Sequence, residues 1–261
     1  MDMKNMKNMK KNTLLILGAL TVSLFSMLAR AETSPIDSTA VQTLQRMTTY
    51  MASLEKFSVH TENTIEEVFD KGQRIDLDVS ASMLVRRPNK LLAERVGEET
   101  GQAFYYDGET LTMFVETPFE AVYATMPAPG TIEQMVDVAR EELGIVLPVS
   151  DLVYRNAQEI LMKGVTSAMV IGESVIGDRV CTHLAFRRPD MDFQVWVATG
   201  TEPLPCKYVV TDTSMDMPLS IVSVMSQWNL APLAADSVFG YTPSDEAVST
   251  NFLPLESGSD R

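Results

Sequence analysis

Between Gln73 and Val85 the chain alternates without a break, with Ile75, Leu77, Val79, Ala81, Met83 and Val85 on one parity and Asp76, Asp78, Ser80 and Ser82 on the other. At the two-residue period of a β-strand, this sends the apolar side chains to one face and the polar ones to the other. A parallel strand, covered on both sides, would be apolar throughout, so the pattern predicts an antiparallel sheet with one dry face and one wet face. The same period runs through the preceding segment, where Phe57, Val59 and Ile65 oppose His60, Glu62 and Glu66. Asp70-Lys71-Gly72 predicts the turn between the two strands. What covers the dry face is the question on which function turns.

A helical period appears in two places. Over 35–54, Val41, Leu44, Met47, Met51 and Leu54 recur at helical spacing, with Asp37 or Ser38 as the cap. After Pro127-Ala-Pro-Gly130, Thr131 caps a second helix whose stripe is Ile132, Met135, Val136 and Ala139, with Glu133 in the first turn and Gly144 at its end. A broken helical segment is expected over 148–162. This insertion, about 131–162, separates two runs of strands and is the expected lid.

Before it, Arg87-Pro88-Asn89-Lys90 ends the opening strand, and extended segments are predicted at 91–96, 102–106, 110–116 and 120–126. Asp107-Gly108 signals a two-residue hairpin between two of them. After it, strands are expected at 165–175, 180–187, 193–198, 206–212 and 219–228. The total is about ten or eleven, all antiparallel neighbours. A short ordered segment is expected near Phe239-Gly240-Tyr241, then a flexible tail over 246–261. The fold class is α+β, mainly β. A sheet this wide curls or splits, and a partly closed curl leaves an interior that its own side chains do not fill. One domain over 32–245 is expected, its strongly curved sheet forming an open half-barrel with helices over the concave face.

The first 31 residues read differently. Lys4, Lys7, Lys10 and Lys11 precede an uncharged apolar run, 13–28, and Ala29-Arg30-Ala31 supplies small residues for cleavage after Ala31. That is the form of a secretory signal peptide, and it predicts a periplasmic protein; the run is shorter than the ~20 residues of a spanning helix. Removing it takes five of 21 basic and one of 35 acidic residues, leaving 16 against 34, a net charge of −18. Such a surface repels nucleic acid and anionic membranes and favours a soluble monomer.

Candidate chemistry is sparse. His60 and His183 stand outside any metal-binding spacing, and neither a nucleophile elbow, a glycine-rich phosphate loop nor a calcium loop occurs. No cofactor or metal is implied. Asp76 with Asp78 and Asp190 with Asp192 share strand faces, which a solvated surface explains better than acid–base catalysis. Cys181 and Cys206, in an exported chain, suggest a disulfide. In a flat meander, however, the intervening strand separates them by ~9–10 Å, beyond the ~7 Å a disulfide tolerates, so a bond and two buried thiols both remain open. Methionines such as Met83, Met113, Met126 and Met135 suit a pocket wall, though core filling accounts for them as well; Trp196 and Trp228 are expected in the core.

Several runs carry a resemblance: Arg87-Pro88 before a strand, FYYDGETL over 104–111, YATMPAP over 123–129, and CTHLAFR over 181–187 leading through Gln194-Val-Trp196 to Pro203-Leu-Pro-Cys-Lys207. Together, over about 36–245, they resemble a family of predicted periplasmic proteins, domain of unknown function 2092. That family looks related to the LolA/LolB lipoprotein carriers, in which a curved sheet with helices plugging its concavity holds acyl chains. The resemblance implies a non-enzymatic periplasmic carrier or binding protein for a lipid, a lipidated protein or another hydrophobic ligand. An envelope sensor or scaffold docking a protein partner in the same cup is the alternative, and a hydrolase the third reading. The expected wall is Val79, Met83, Leu92, Tyr105, Met113 and Tyr123, with Met135 and Val136 from the lid.

Overall fold

A computed structural model describes residues 35–98, 100–145 and 149–252. The signal segment, the start of the 148–162 segment and the end of the tail lie outside the described residues. Helix α1 (Ser38–Ser53) opens the described chain. Asp37 caps it, its carboxylate accepting from the Thr39 amide at 2.7 Å. Leu44, Met47 and Met51 are fully buried, and each such side chain is worth about 1.5–3 kcal/mol.

Strands β1 (Lys56–Phe69) and β2 (Gln73–Arg86) form a long antiparallel ribbon through a turn at residues 70–72. Short strands follow: β3 (Lys90–Val96), β4 (Gly101–Tyr106), β5 (Thr110–Glu116) and β6 (Ala121–Pro127). Helix α2 (Ile132–Glu141), a 3₁₀ turn at Ser150–Leu152 and helix α3 (Ala157–Met162) make up the insertion. Then come β7 (Ser167–Ile176), β8 (Arg179–Arg187), β9 (Met191–Ala198), β10 (Pro205–Asp212), β11 (Leu219–Asn229) and the short β12 (Val248–Thr250).

All twelve strands belong to one open sheet, in the order β12-β6-β5-β4-β3-β2-β1-β11-β10-β9-β8-β7. Two meanders, β1–β6 and β7–β11, therefore meet where β11 pairs with β1. The sheet is curved and does not close, with the helices on its concave face, as expected. One neighbour pair departs from the expected antiparallel pattern: β12 lies parallel to β6. It also falls within the stretch assigned to a flexible tail, and it gives β6 a partner. At the other edge, residues 35–37 run beside β7, where Asp37 and Ala168 exchange backbone hydrogen bonds with Ala168 and Pro35 at 2.9 Å each. Both edges are thus blunted against pairing with another chain.

The β4–β5 turn has the expected two residues at its tip, shifted by one position to Gly108 and Glu109: Tyr106 pairs with Leu111, and the Asp107 amide donates to the Thr110 carbonyl at 3.4 Å, with Asp107 also turning the chain from its side chain. Its carboxylate accepts from the amides of Glu109 at 3.0 Å and Thr110 at 2.8 Å. Gly108 has φ of +94°, and a Cβ there would lie 2.2 Å from the Asn89 side chain, so only glycine fits. This loop also receives the approach to α2, through Ala128 to Glu109 at 2.8 Å and Gly130 to Gly108 at 3.3 Å.

Cys181 and Cys206 form a disulfide, with a Cα–Cα distance of 7.0 Å. A flat meander would keep them further apart. The difference is a bulge: between Pro205 and Lys207 the pairing of β10 with β9 slips, leaving Cys206 as the extra residue opposite the end of β9, where Cys181 pairs with Ala198. The bond anchors a second, smaller core on the convex face, with Trp196, Ala198 and Val209. His183 stacks on Trp196 at 3.8 Å between ring centres, and Lys207 lies over the same ring at 4.9 Å. The bridged residues are 25 apart in sequence, so opening that loop should lower stability by about 3 kcal/mol. Urea unfolding of the Cys181→Ala/Cys206→Ala double variant is expected to show this loss with no change in far-ultraviolet circular dichroism.

Candidate functional site

The dry face of β2 is covered unevenly. Val85 is fully buried beneath the helices, while Met83, Ala81, Val79, Leu77 and Ile75 toward the ribbon tip are only half-buried. A cleft with a cavity volume of about 60 Å³ opens where the cover thins. Thr61, Asn63 and Ile65 of β1, Val79, Ala81 and Met83 of β2, Leu91, Ala93 and Arg95 of β3, and Phe104 of β4 form its floor. Val136 of α2 with Val149, Ser150 and Val153 forms its roof. A smaller recess of about 10 Å³ shares Thr61, Met83, Val149 and Val153 and reaches inward to Met225 and Trp228. Trp228 faces this way because a bulge at Gln227, with φ of +52°, interrupts the pairing of β11 with β1. Its ring packs against Phe57, with centres 5.7 Å apart.

The roof is held by charge and by a cap. Thr131 and Gln134 form a capping box at the start of α2. The Ile132 amide donates to the Pro88 carbonyl at 2.9 Å, and the Tyr106 hydroxyl donates to the Gly130 carbonyl at 2.8 Å. Burial, with Asp107 and Glu133 nearby, pushes the Tyr106 phenol up to about 12, so it remains a donor at any physiological pH. Arg87, at the end of β2, has a side chain with no exposure. It donates to the carbonyls of Leu54 after α1 and Val153 in the roof, and to the Glu133 carboxylate of α2 at 3.2 Å. Burial draws its pKa down, and Glu133 acts against that fall. Further out, Arg140 donates to Ser150 at 3.2 Å and to Asp151 at 2.9 Å, and Tyr154 donates to Asp137 at 2.6 Å. The turn at 150–152 and α2 are therefore one braced unit.

The residues expected to form the wall separate into two faces. Val79, Met83 and Val136 line the cleft. Met113 shares the concave face but packs against the main core, and Met135 is a core residue, 2% exposed. Leu92, Tyr105 and Tyr123 lie on the opposite, convex face and do not belong to the wall. Leu92 borders a surface groove with Pro232 and Leu233, while Tyr105 and Tyr123, with Phe114, surround Tyr241 at ring-centre distances of 5.2–5.3 Å. The physical cause is that the chain segment after β11 lies over this part of the convex face, so both parities of β3–β6 carry apolar residues. Asn63, Arg95, Val149 and Val153 enter the site unforeseen. For Arg95 the signal is a charge on the parity of Leu91 and Ala93; for Asn63 it is a polar residue on the parity of Phe57 and Val59.

The other polar candidates are engaged locally. His60 meets Glu62 at 2.7 Å, His183 meets Gln194 at 2.9 Å, Asp78 accepts from Thr64 at 2.8 Å, and Asp192 is paired with Arg187 at 2.7 Å. Among the described residues no three His, Cys, Asp or Glu side chains come together as a metal site, and no helix is long and apolar enough to cross a membrane.

A wide, open, curved antiparallel sheet with a half-covered apolar concavity defines the class of protein. The chain belongs to the family of predicted periplasmic proteins designated domain of unknown function 2092, whose model matches residues 40–253. Its periplasmic description agrees with the location expected from residues 1–31. A comparison with curated proteins finds no match. Among solved structures, the lipoprotein LppX of Mycobacterium tuberculosis is similar at 15% identity, 76% of this chain and 98% of that one, with a TM-score of 0.42. A LolA-superfamily protein of Nitrosomonas europaea is similar at 13% identity, 77% and 97% coverage and a TM-score of 0.37. The MucA/MucB complex of Pseudomonas aeruginosa contains a chain similar at 12% identity, 78% and 62% coverage and a TM-score of 0.41. Likenesses this distant carry no function across.

Removing the Arg87 guanidinium takes the donor from the Leu54 and Val153 carbonyls in a poorly hydrated interior, while Glu133, 20% exposed, keeps the Arg155 amide at 3.3 Å. Arg87→Met is expected to lose ~3 kcal/mol in urea unfolding, whereas Glu133→Gln, which keeps a hydrogen-bond acceptor, should lose ~1 kcal/mol.

Proposed function

We propose that this protein is a non-enzymatic periplasmic binding protein that holds the apolar chain of an amphiphile, a lipid or a lipidated partner, in the cleft between β1–β4 and the α2 roof. The observation that carries this reading is the half-covered dry face. Val79, Ala81, Met83 and Ala93 present apolar surface beside an opening, where burial would gain roughly 25 cal/mol for each Å² removed from water. A closed core would have covered these side chains with the chain's own residues. The roof bears apolar side chains, Val136, Val149 and Val153, toward the floor and is braced as a unit, which suits a cover that stays formed while a guest enters beneath it.

Purification from the periplasm without detergent, followed by mass spectrometry of extracted material, should yield a stoichiometric acyl compound. A protein partner held in the cup and no acyl material would favour the scaffold reading. In titrations with a fluorescent acyl probe, Met83→Asp is expected to weaken binding at least ~10-fold with the fold intact, because Met83 is half-buried at the cleft. Leu92→Asp, on the convex face, should bind as the wild type does. Met135→Asp is expected instead to unfold the protein, since it places a carboxylate in the core.

A further inference from the structure

Two groups lining this largely apolar cleft have hydrogen-bonding capacity that nothing among the described residues meets. Asn63 is 3% exposed, and its amide nitrogen donates to the Thr61 hydroxyl at 2.9 Å and to the Val79 carbonyl at 3.0 Å. Because the Val79 carbonyl can only accept, this contact fixes which end of the amide is nitrogen. The oxygen, Oδ1, is then left buried with no donor. An orphaned buried acceptor is costly, and natural cores rarely keep one unless something supplies the donor.

The second group is Arg95. It stands on the concave parity of β3, next to Ala81 in the β2–β3 pairing, and lines the same cleft. The other arginines of the roof and rim, Arg87, Arg140 and Arg155, all bind carboxylates or carbonyls. Among the described residues Arg95 has no hydrogen-bond or ion-pair partner, and partial burial draws its pKa down. A guanidinium set into an apolar cleft is a fork for a carboxylate or phosphate. Arg95 aligns with Ala81 and Thr61, so Asn63 sits two strands across and two residues along, a backbone separation of roughly 12 Å, and both side chains line the cleft between them.

Resting on the binding-protein reading above, we infer that the ligand is a single-chain amphiphile with an anionic head bearing a neighbouring hydroxyl. The anion is held by Arg95, the hydroxyl donates to Asn63 Oδ1, and the chain runs along Met83 and Val136 toward the Trp228 recess. The head chemistry is shared by hydroxylated fatty acids and lysophospholipids with a glycerol head.

The test is equilibrium binding to the mature protein, below micelle-forming concentrations, with dodecanoate, its neutral methyl ester, 3-hydroxydodecanoate and lauroyl lysophosphatidylglycerol. Dodecanoate should bind at least ~10-fold tighter than the ester, and Arg95→Met should erase that preference. The variant loses no hydrogen bond or ion pair among the described residues and keeps an unbranched stem of similar size, so its thermal unfolding should stay close to that of the wild type. At least one hydroxylated ligand should exceed dodecanoate by several-fold: the fatty acid if the head is a carboxylate, the lysolipid if it is a phosphodiester. Equal binding of dodecanoate and ester overturns the head-group inference and leaves the cleft reading standing. No gain from either hydroxyl overturns the role of Asn63. Failure of every chain to bind overturns the inference and the reading beneath it.

Discussion

The structure depends on a mismatch of areas. A twelve-stranded sheet offers one continuous dry face, and among the described residues three helices and the 3₁₀ turn at 150–152 cover it. At the β7–β9 end the cover suffices: α1 packs there with Leu44, Met47 and Met51 buried. Toward the β1–β2 ribbon tip it does not, and the dry face runs out from under the roof half-exposed. Apolar surface left beside an opening is unfavourable in water and becomes favourable only when something covers it.

Holding the roof at the right height requires a polar device. Arg87 joins the end of α1, the start of α2 and the 149–153 segment from one buried side chain. Buried ion pairs are weak contributors to net stability compared with apolar packing, but they fix geometry, because losing either partner strands the other. An apolar residue at position 87 would fill space without specifying where three chain segments meet. The capping box at Thr131 and the Tyr106 bond to Gly130 fix the same end of α2, while Arg140 and Tyr154 tie the other side of the roof to it.

Much of this was legible in the sequence. The strict alternation of 73–85, the helical stripes of α1 and α2, the Thr131 cap and the place of the insertion all follow from periodicity and from residues with strong local preferences. The concave side of β2 was legible too, and with it Val79 and Met83. Parity was harder to read beyond the Arg87-Pro88 turn, because Leu91 and Leu92, and Phe104 and Tyr105, are apolar on both faces. The convex ones are covered by a segment more than a hundred residues away, so no local pattern distinguishes them. The disulfide depends on a one-residue bulge at Cys206, and the parallel strand β12 on a long-range return of the chain, neither of which periodicity encodes. Arg95 and Asn63 were legible in kind, as polar residues on an apolar parity, but the unmet Asn63 Oδ1 and the absence of a partner for Arg95 among the described residues are properties of the folded structure alone.

The chain carries two tryptophans, one on each face of the sheet, and this permits the most direct test of where a guest sits. Trp228 lines the recess beneath the roof, and Trp196 belongs to the convex cluster beside the disulfide. Titrating a brominated acyl chain into the Trp196→Phe and Trp228→Phe variants reads each site separately through fluorescence quenching. Saturable quenching of Trp228, with Trp196 unaffected, is the result this account predicts. Quenching of Trp196 alone, or of both to the same extent, would contradict it.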